Sequence, residues 1–246
     1  MPAKPSARSL LGEMKQLGDS AVAAHAQGFF KTGKGEYGEG DKFIGIRMPV
    51  IRQQAKRLRE HSLEEITEIL HSPWHEIRMI AILGLVEQYN RCDETRSNEQ
   101  LKRAITQCYL GNIDWINNWD LVDCSAHKII GPHFENRSRK PLEHMARSQN
   151  LWKRRIAIMA TFHFIRFSGK KDVSTTLTLA RILLGDKEDL IHKATGWMLR
   201  EAGKFDPDAT EGFLKQYYHQ MPRTMLRYAI EKHPEKIRQA YLKDLF

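Results

Sequence analysis

The feature that most constrains the fold is a helical segment that recurs along the chain at nearly regular intervals. Its four copies read EIRMIAIL, KRRIAIMA, IHKATGWM and MLRYAIEK, and each has a basic residue followed closely by alanine or another small apolar residue. The basic residues are Arg78, Arg155, Lys193 and Arg227, so successive copies lie 77, 38 and 34 positions apart. Because the first interval is about twice the others, we expect a further copy near residue 116.

A period of about 34–40 residues in paired helices is typical of HEAT- and armadillo-type repeats. Such repeats stack into a curved solenoid, and equivalent positions on successive inner helices line its concave surface. We therefore predict an all-α fold, namely a right-handed superhelical solenoid of tandem HEAT-like helical repeats. Since the recurring inner position is basic, the concave surface should form a basic groove. Residues 1–246 are predicted to form this single domain.

Local signals agree with a helical chain. Pro49 lies where a first-turn proline is favoured, and the segment that follows it has apolar residues at helical spacing. Ser62 followed by Glu65 has the spacing of a capping box, which predicts a helix beginning after Ser62. Residues 1–5 are predicted to be a flexible tail.

One stretch, KTGKGEYGEGDKFIG at residues 31–45, does not have helical periodicity. Gly33, Gly35 and Gly38 match the spacing G-x-G-x-x-G, but no strand precedes them and no helix begins there. A nucleotide-binding turn needs both, so we predict a glycine-rich flexible loop instead.

The chain is basic, with a formal net charge of +9. This surplus favours an acidic partner, of which nucleic acid is the commonest, although a basic solvated surface would have the same composition. No apolar run is long enough for a signal peptide or a membrane span, so no membrane partner is expected.

The histidines and cysteines do not predict a metal centre. The 3 cysteines form no CxxC pair, which fits small core residues in a reducing cytosol, and a cytoplasmic location is expected. His71 and His75 have the spacing of helical metal ligands, but Pro73 interrupts them and no other cluster supports a metal. We therefore expect no metal and no cofactor.

Two tryptophans lie beside charged residues at helical spacing. Trp119 and Asp123 are four positions apart, so a helix would place both on one face. Lys193, Trp197 and Arg200 share a face in the same way. The simpler interpretation is a core tryptophan and an aspartate in a structural ion pair, since both are common.

The alternative is a ligand that has an anionic backbone and a locally cationic group. A basic run, Lys153 to Arg155, would bind phosphates at the beginning of a helix, where free backbone N–H groups also favour anions. The indoles and Asp123 would attract positive charge through cation–π and Coulomb interactions. A nucleobase alkylated at N3 or N7 is such a cation.

The segments FIGIRMP, WDLVD, NLWKRRIAI and KATGWMLRE occur in the order and at the separations of a known family. Together they resemble the AlkD-like DNA alkylation repair family, which are HEAT-repeat DNA glycosylases, over about residues 20–235. The resemblance implies a monofunctional glycosylase, expected to act as a monomer. It would remove cationic N3- and N7-alkylated purines from duplex DNA without extruding the base into a deep pocket.

The resemblance also implies roles for individual residues. Asp123 matches the catalytic aspartate, and Trp119 and Trp197 match the tryptophans that line the cleft. Phe29 stands where the family often has a tyrosine as a third cleft aromatic. Arg52, Arg155 and Arg200 match DNA-binding arginines of the family. Further cations of these segments and of the recurring helices are also expected to bind DNA, namely Arg47, Arg154, Lys193 and Arg227.

The chemistry agrees with these roles. A cationic base departs as a neutral leaving group, so no general acid is needed, and the positive charge moves to the deoxyribose. An ionised Asp123 would stabilise that charge and orient the attacking water, as carboxylates do in sugar hydrolases. Asp120 is assigned a structural role. Two alternatives remain: a non-catalytic DNA-structure-binding module, and a protein-interaction solenoid that takes an acidic peptide.

Overall fold

The structure is a computed structural model that describes residues 5–94 and 99–245. Helices form all the regular secondary structure of this part of the chain, apart from one isolated backbone pairing between Lys42 and Trp74. The all-α prediction is confirmed. The tail predicted at residues 1–5 lies outside the described residues except for Pro5, whose carbonyl accepts a hydrogen bond of 2.8 Å from the buried His61 ring.

The chain divides into two compact units, Met1–Ser125 and Ala126–Phe246. That residues 1–246 act as a single domain stays a prediction. In the described part of unit 1 the helices are α1 (Ala7–Gln16), α2 (Ser20–Phe29), α3 (Met48–Lys56), α4 (Leu63–Leu70), α5 (His75–Glu94), α6 (Glu99–Gly111) and the beginning of α7 (Trp119–His133). A short 3₁₀ turn, Ile113–Trp115, precedes α7.

The core of unit 1 lies around α5, which packs against α3, α4 and α6. Ile80, Ala81 and Ile82 of α5 are fully buried, which explains why this helix is apolar on all sides. The capping box at the beginning of α4 is confirmed: Ser62 Oγ accepts from the Glu65 amide at 3.2 Å, and Glu65 Oε2 accepts from the Ser62 amide at 2.7 Å.

Unit 2 contains, in its described part, α8 (Lys140–Ala146), α9 (Leu151–Arg166), α10 (Ser174–Ile182), α11 (Asp189–Gly203), α12 (Pro207–Tyr217), α13 (Arg223–Ala229) and α14 (Glu235–Leu242). Helix α11 packs against both α9 and α13, while α10 packs against both α8 and α12. Within this unit the helices therefore form two layers of paired helices, as stacked helical repeats do. The right-handed superhelix and its concave groove stay predictions.

The recurring basic position has been placed on α5, α9, α11 and α13, but its side chains are not equally exposed. Arg78 and Arg155 are buried, Lys193 is half-buried and Arg227 is exposed. A basic residue at this position therefore does not by itself give an exposed cation: the guanidinium groups of Arg78 and Arg155 are directed to acceptors in the interior.

The glycine-rich loop at residues 31–45 is non-helical, as predicted, but its backbone is tied by its own side chains. Glu36 accepts from the Gly33 amide at 2.9 Å, and Glu39 accepts from the Gly35 amide at 2.8 Å. The Gly38 amide also donates to the Lys31 carbonyl at 3.1 Å. The loop is therefore a hydrogen-bonded connection between α2 and α3. Among the described residues, no helix is both long and apolar enough to cross a membrane.

Candidate active site

The first turn of α7 places the predicted catalytic residues. The Asn118 side chain accepts from the Trp119 amide at 2.8 Å, and the Asp120 carboxylate accepts from the Leu121 amide at 2.8 Å. These bonds satisfy amides that have no partner inside the helix. Trp119 and Asp123 follow at i and i+4 on this helix, and both are half-buried.

Beneath this turn lies a buried charge network that the sequence did not reveal. His75 Nε2 is 2.8 Å from Asp120 Oδ2, and His75 Nδ1 is 3.3 Å from Asp41 Oδ2. Arg78 donates to Asp41 Oδ1 at 2.7 Å, and the Asn118 amide donates to Asp41 Oδ2 at 3.2 Å. The two carboxylates thus balance the imidazolium and the guanidinium, and the network joins α5 and the glycine-rich loop to α7.

The charge state of His75 follows from these neighbours. Burial lowers the pKa of the imidazole, but the Asp120 charge and the hydrogen bonds to Asp120 and Asp41 outweigh it and raise the pKa to about 9. Burial raises the pKa of Asp41, but the hydrogen bonds from His75 and Asn118 and the charges of His75 and Arg78 outweigh it and hold this pKa below its usual value. His75 is therefore protonated at neutral pH, and Asp120 has the structural role that the sequence predicted.

Trp119 lies in an aromatic cluster. The Phe30 ring stacks on the indole at 5.3 Å with an interplanar angle of 25°, and Phe29 meets the indole edge-on at 5.8 Å. Phe30 also stacks on Phe43 at 5.2 Å and contacts His75 at 4.9 Å. Phe29 is 57% exposed. The predicted cleft aromatic Phe29 thus lies beside Trp119 and is open to solvent, while Phe30 supports the indole from inside.

Asp123 acts electrostatically on the interior of unit 1. Its neighbour Ser125 is hydrogen-bonded to the hydroxyl of the fully buried Tyr109 at 2.8 Å. Burial raises the pKa of Tyr109, and the negative charge of Asp123 raises it further. The negative charge of Asp123 therefore acts on the buried phenol of Tyr109.

The FIGIRMP segment has a structural explanation. The buried Glu76 carboxylate accepts from the amides of Ile44 at 3.0 Å, Gly45 at 2.7 Å and Ile46 at 3.3 Å. Gly45 has φ +89°, and a Cβ there would lie 2.0 Å from the Asp19 carbonyl oxygen, so only glycine fits. This anchored strand-like segment leads into α3, where the predicted DNA-binding residues are exposed, namely Arg47 and Arg52.

In unit 2, Trp197 is half-buried on α11, and its indole lies 6.1 Å from the Phe162 ring. Arg200, one turn further on, forms ion pairs with Glu231 and, at 3.7 Å, with Glu201. Lys193 pairs with Asp189 at 2.7 Å. These cations are thus already balanced by acids, and a DNA contact by either would require the ion pair to open.

The basic run at the beginning of α9 is largely structural. Arg154 binds Asp186 at 2.6 Å and donates to the carbonyls of Ser148 at 3.0 Å and Gln149 at 2.9 Å. Arg155 is only 4% exposed and donates to the Leu190 carbonyl, which ties α9 to the beginning of α11. A DNA contact by Arg154 or Arg155 stays a prediction, and the structure assigns both side chains contacts inside unit 2.

The structure therefore brings Phe29 and Trp119 together in unit 1, with Asp123 one turn further along α7. It places Trp197 with five of the predicted cations in unit 2. Sequence reasoning missed Phe30, Phe43 and His75. His75 was considered only as a possible metal ligand with His71, and the sequence did not distinguish Phe30 from its neighbour Phe29. In residues 5–94 and 99–245, no group of three or more His, Cys, Asp and Glu side chains could hold a metal ion.

Comparison with known proteins gives two findings. The family model described as DNA alkylation repair enzyme matches residues 10–233. The fold is similar to a solved structure described as a predicted DNA alkylation repair enzyme from Enterococcus faecalis, with a TM-score of 0.64 and 18% identity over 89% of this chain and 97% of that chain. No curated protein matches the sequence.

Proposed function

The chain belongs to the DNA alkylation repair enzyme family, and from this premise we propose that it is a monofunctional DNA glycosylase. It removes cationic N3- and N7-alkylated purines from duplex DNA, without a cofactor and without deep base flipping. The observation that carries the proposal is the beginning of α7, where half-buried Asp123 follows half-buried Trp119 by one turn and exposed Phe29 lies against the indole. We propose that the protein acts as a monomer in the cytoplasm.

In the proposed reaction the bond between C1′ and the purine nitrogen breaks, and its electron pair neutralises the positive charge of the departing base. The sugar becomes an oxocarbenium-like cation. Asp123 stabilises that cation electrostatically and orients a water molecule, which adds to C1′ and loses a proton to leave an abasic site. Because the base departs neutral, no acid has to protonate it.

The aromatic residues act on the cationic base. Trp119 offers an indole face held in place by Phe30, and cation–π attraction is strongest for tryptophan. Phe29 keeps the ring of the family's usual tyrosine and lacks its hydroxyl. Trp197 is proposed to contact the DNA from unit 2.

DNA binding is proposed to rest on cations that meet phosphates, which gives affinity without sequence readout. Arg47, Arg52 and Arg227 are exposed and are the best placed for this task. Lys193 and Arg200 would exchange their acidic partners for phosphates, which costs part of the ion-pair energy.

The test is Asp123→Asn, which is nearly isosteric. Release of N7-methylguanine from methylated duplex DNA under single-turnover conditions should fall by roughly 100-fold or more, the usual scale for the loss of one preorganised electrostatic group. DNA affinity should not fall. Asp114→Asn is the matched control, because it removes the same charge from an exposed position in the turn before α7.

The opposing result is a well-folded Asp123→Asn protein that releases the base as fast as the wild type. That outcome would remove the catalytic role. The remaining alternative would then be a non-catalytic DNA-structure-binding module, which needs the exposed cations and not the carboxylate. A protein-interaction solenoid would in addition show no salt-dependent affinity for DNA.

A further inference from the structure

Phe167 is the most exposed phenylalanine, tyrosine or tryptophan side chain in residues 5–94 and 99–245, at 62%. It lies immediately after the end of α9. A single exposed apolar side chain is ordinary, but one that continues into an aromatic cluster and is surrounded by cations is typical of a binding surface. Whether Phe167 belongs to a binding surface therefore depends on the residues around it.

The backbone around Phe167 is held by hydrogen bonds. The amides of Phe167 and Ser168 both donate to the His163 carbonyl, at 2.8 and 2.9 Å. The Gly169 amide donates to Glu135 Oε1 at 3.2 Å, and Ser168 Oγ donates to the Lys170 carbonyl at 3.0 Å. An aromatic ring on such a fixed turn loses little conformational entropy when a ligand binds.

The Phe167 ring rests on other rings of unit 2. Phe162 meets it edge-on at 5.7 Å, and the imidazoles of His127 and His163 are nearly parallel to it at 6.1 and 6.4 Å. Phe162 in turn contacts Trp197 at 6.1 Å. The exposed ring is thus the outer end of the aromatic cluster that contains Trp197, as Phe29 is in the cluster that contains Trp119.

The charges beside Phe167 are mainly positive. Arg166, Lys170 and Lys171 are exposed, and Lys171 Nζ lies 4.8 Å over the Phe205 ring. The nearby acids are engaged locally. Glu135 is bonded to His163 at 3.1 Å as well as to the turn, and Asp172 is paired with Arg139. An anionic ligand at this turn would therefore meet three exposed cations that lie within four residues of Phe167 in the chain.

We propose that Phe167 is a base-stacking residue that binds an unpaired nucleobase of DNA, while Arg166, Lys170 and Lys171 bind the adjoining phosphates. The proposal rests on the proposed function, because a repair enzyme meets DNA in which a base has lost its partner. In a perfect duplex both faces of every base are already stacked, so the ring gains most where pairing is interrupted. Stacking on an aromatic side chain tolerates every base, so no sequence preference follows.

The experiment measures binding to two duplexes of one sequence. One is fully paired, and the other has 2-aminopurine opposite a tetrahydrofuran abasic analogue. Phe167→Ala should weaken binding to the abasic duplex by about 10-fold, from the usual worth of one stacked base, and should remove the quenching of 2-aminopurine. Binding to the paired duplex should change less than about 2-fold. Phe167→Trp should restore both the affinity and the quenching.

Trp115→Ala is the control, since Trp115 is also an exposed aromatic residue, at 37%, and stacks on one imidazole, that of His71, at 4.8 Å. It should leave binding to both duplexes unaffected. Equal affinity and quenching for Phe167→Ala and the wild type would overturn the proposal, as would equal losses in Phe167→Ala and Trp115→Ala. Because the assay measures binding and not base release, failure of the glycosylase proposal would appear separately, as absence of N7-methylguanine release by the wild type.

Discussion

Protonation of the buried His75 should make the stability of unit 1 depend on pH. His75 is 3% exposed between Asp41 and Asp120, and its pKa is raised from 6.5 to about 9. Because the folded protein holds the proton more tightly than the unfolded chain, this proton stabilises the fold. The contribution is complete below pH 6.5, declines as pH rises, and is lost once pH passes about 9.

The size of this stability contribution follows from the shift in the pKa of His75. One pKa unit corresponds to about 1.4 kcal/mol, so a rise from 6.5 to about 9 gives about 3 kcal/mol of stability between the two ends of this window. The charged groups that act on His75 are Asp41, Asp120 and Arg78. The pKa of Asp41 is held below its usual value, so this carboxylate does not titrate within the window.

The assay is urea unfolding at pH 6, 7, 8 and 9.5, followed by a probe in unit 1, for the wild type and His75→Gln. The variant should have a nearly flat pH dependence over this range, because glutamine cannot carry the proton. His71→Gln is the control: its ring is bonded to Asn112 at 2.7 Å and stacked on Trp115 at 4.8 Å, outside the network. This variant should keep the wild-type dependence of the free energy of unfolding on pH.

An equal dependence of the free energy of unfolding on pH in His75→Gln and the wild type would refute this role of His75. Since His75→Gln could also unfold, the wild-type imidazole should be titrated directly by NMR. A midpoint for His75 at or below 6.5 would show that burial outweighs the two carboxylates, and the loss of stability at high pH would then need another cause.

Two further predictions concern the backbone and the DNA surface. Gly45→Ala should lower the free energy of unfolding, measured by urea titration, by more than about 2 kcal/mol, because a strained φ and a clash with Asp19 add together. Gly40→Ala, where φ is +86° and the space around the glycine is open, should lower it by about 1 kcal/mol. Equal losses in the two variants would refute the clash. A plot of the logarithm of DNA affinity against the logarithm of salt concentration, from fluorescence anisotropy titrations, should have a slope of about −4 to −5 if about five phosphates are neutralised. Arg227→Ala should reduce the magnitude of this slope by about 1. Arg181→Ala, an exposed change on α10 in the other layer, should leave the slope unchanged, and a flat salt response of the wild type would contradict DNA binding.

Much of the fold could be predicted from the sequence because helix formation depends on near neighbours. Apolar periodicity, the proline of α3 and the capping box of α4 are local signals, and each matched a helix of the structure. The recurring basic segment marked α9, α11 and α13, which form one layer of unit 2. The placement of Trp119 and Asp123 on one face also followed from spacing alone.

Exposure and charge state of the basic and histidine side chains could not be predicted in this way. Arg78, Arg155 and Arg227 occupy the same place in the repeat, yet the first two are buried and the third is exposed. The partner of Arg78 is Asp41, 37 residues earlier, and that of Arg155 is a carbonyl 35 residues later. No pattern within one helix reveals a partner at that distance.

The candidate site divides in the same way. The sequence by itself determined that α7 carries an indole and a carboxylate one turn apart, because helical geometry sets that relation. Only the tertiary structure decided that Phe30 stacks on the indole, that His75 is held as a cation beneath it, and that Phe29 is open to solvent. The physical reason is that stacking, burial and pKa depend on groups from distant segments, which packing brings within a few ångströms.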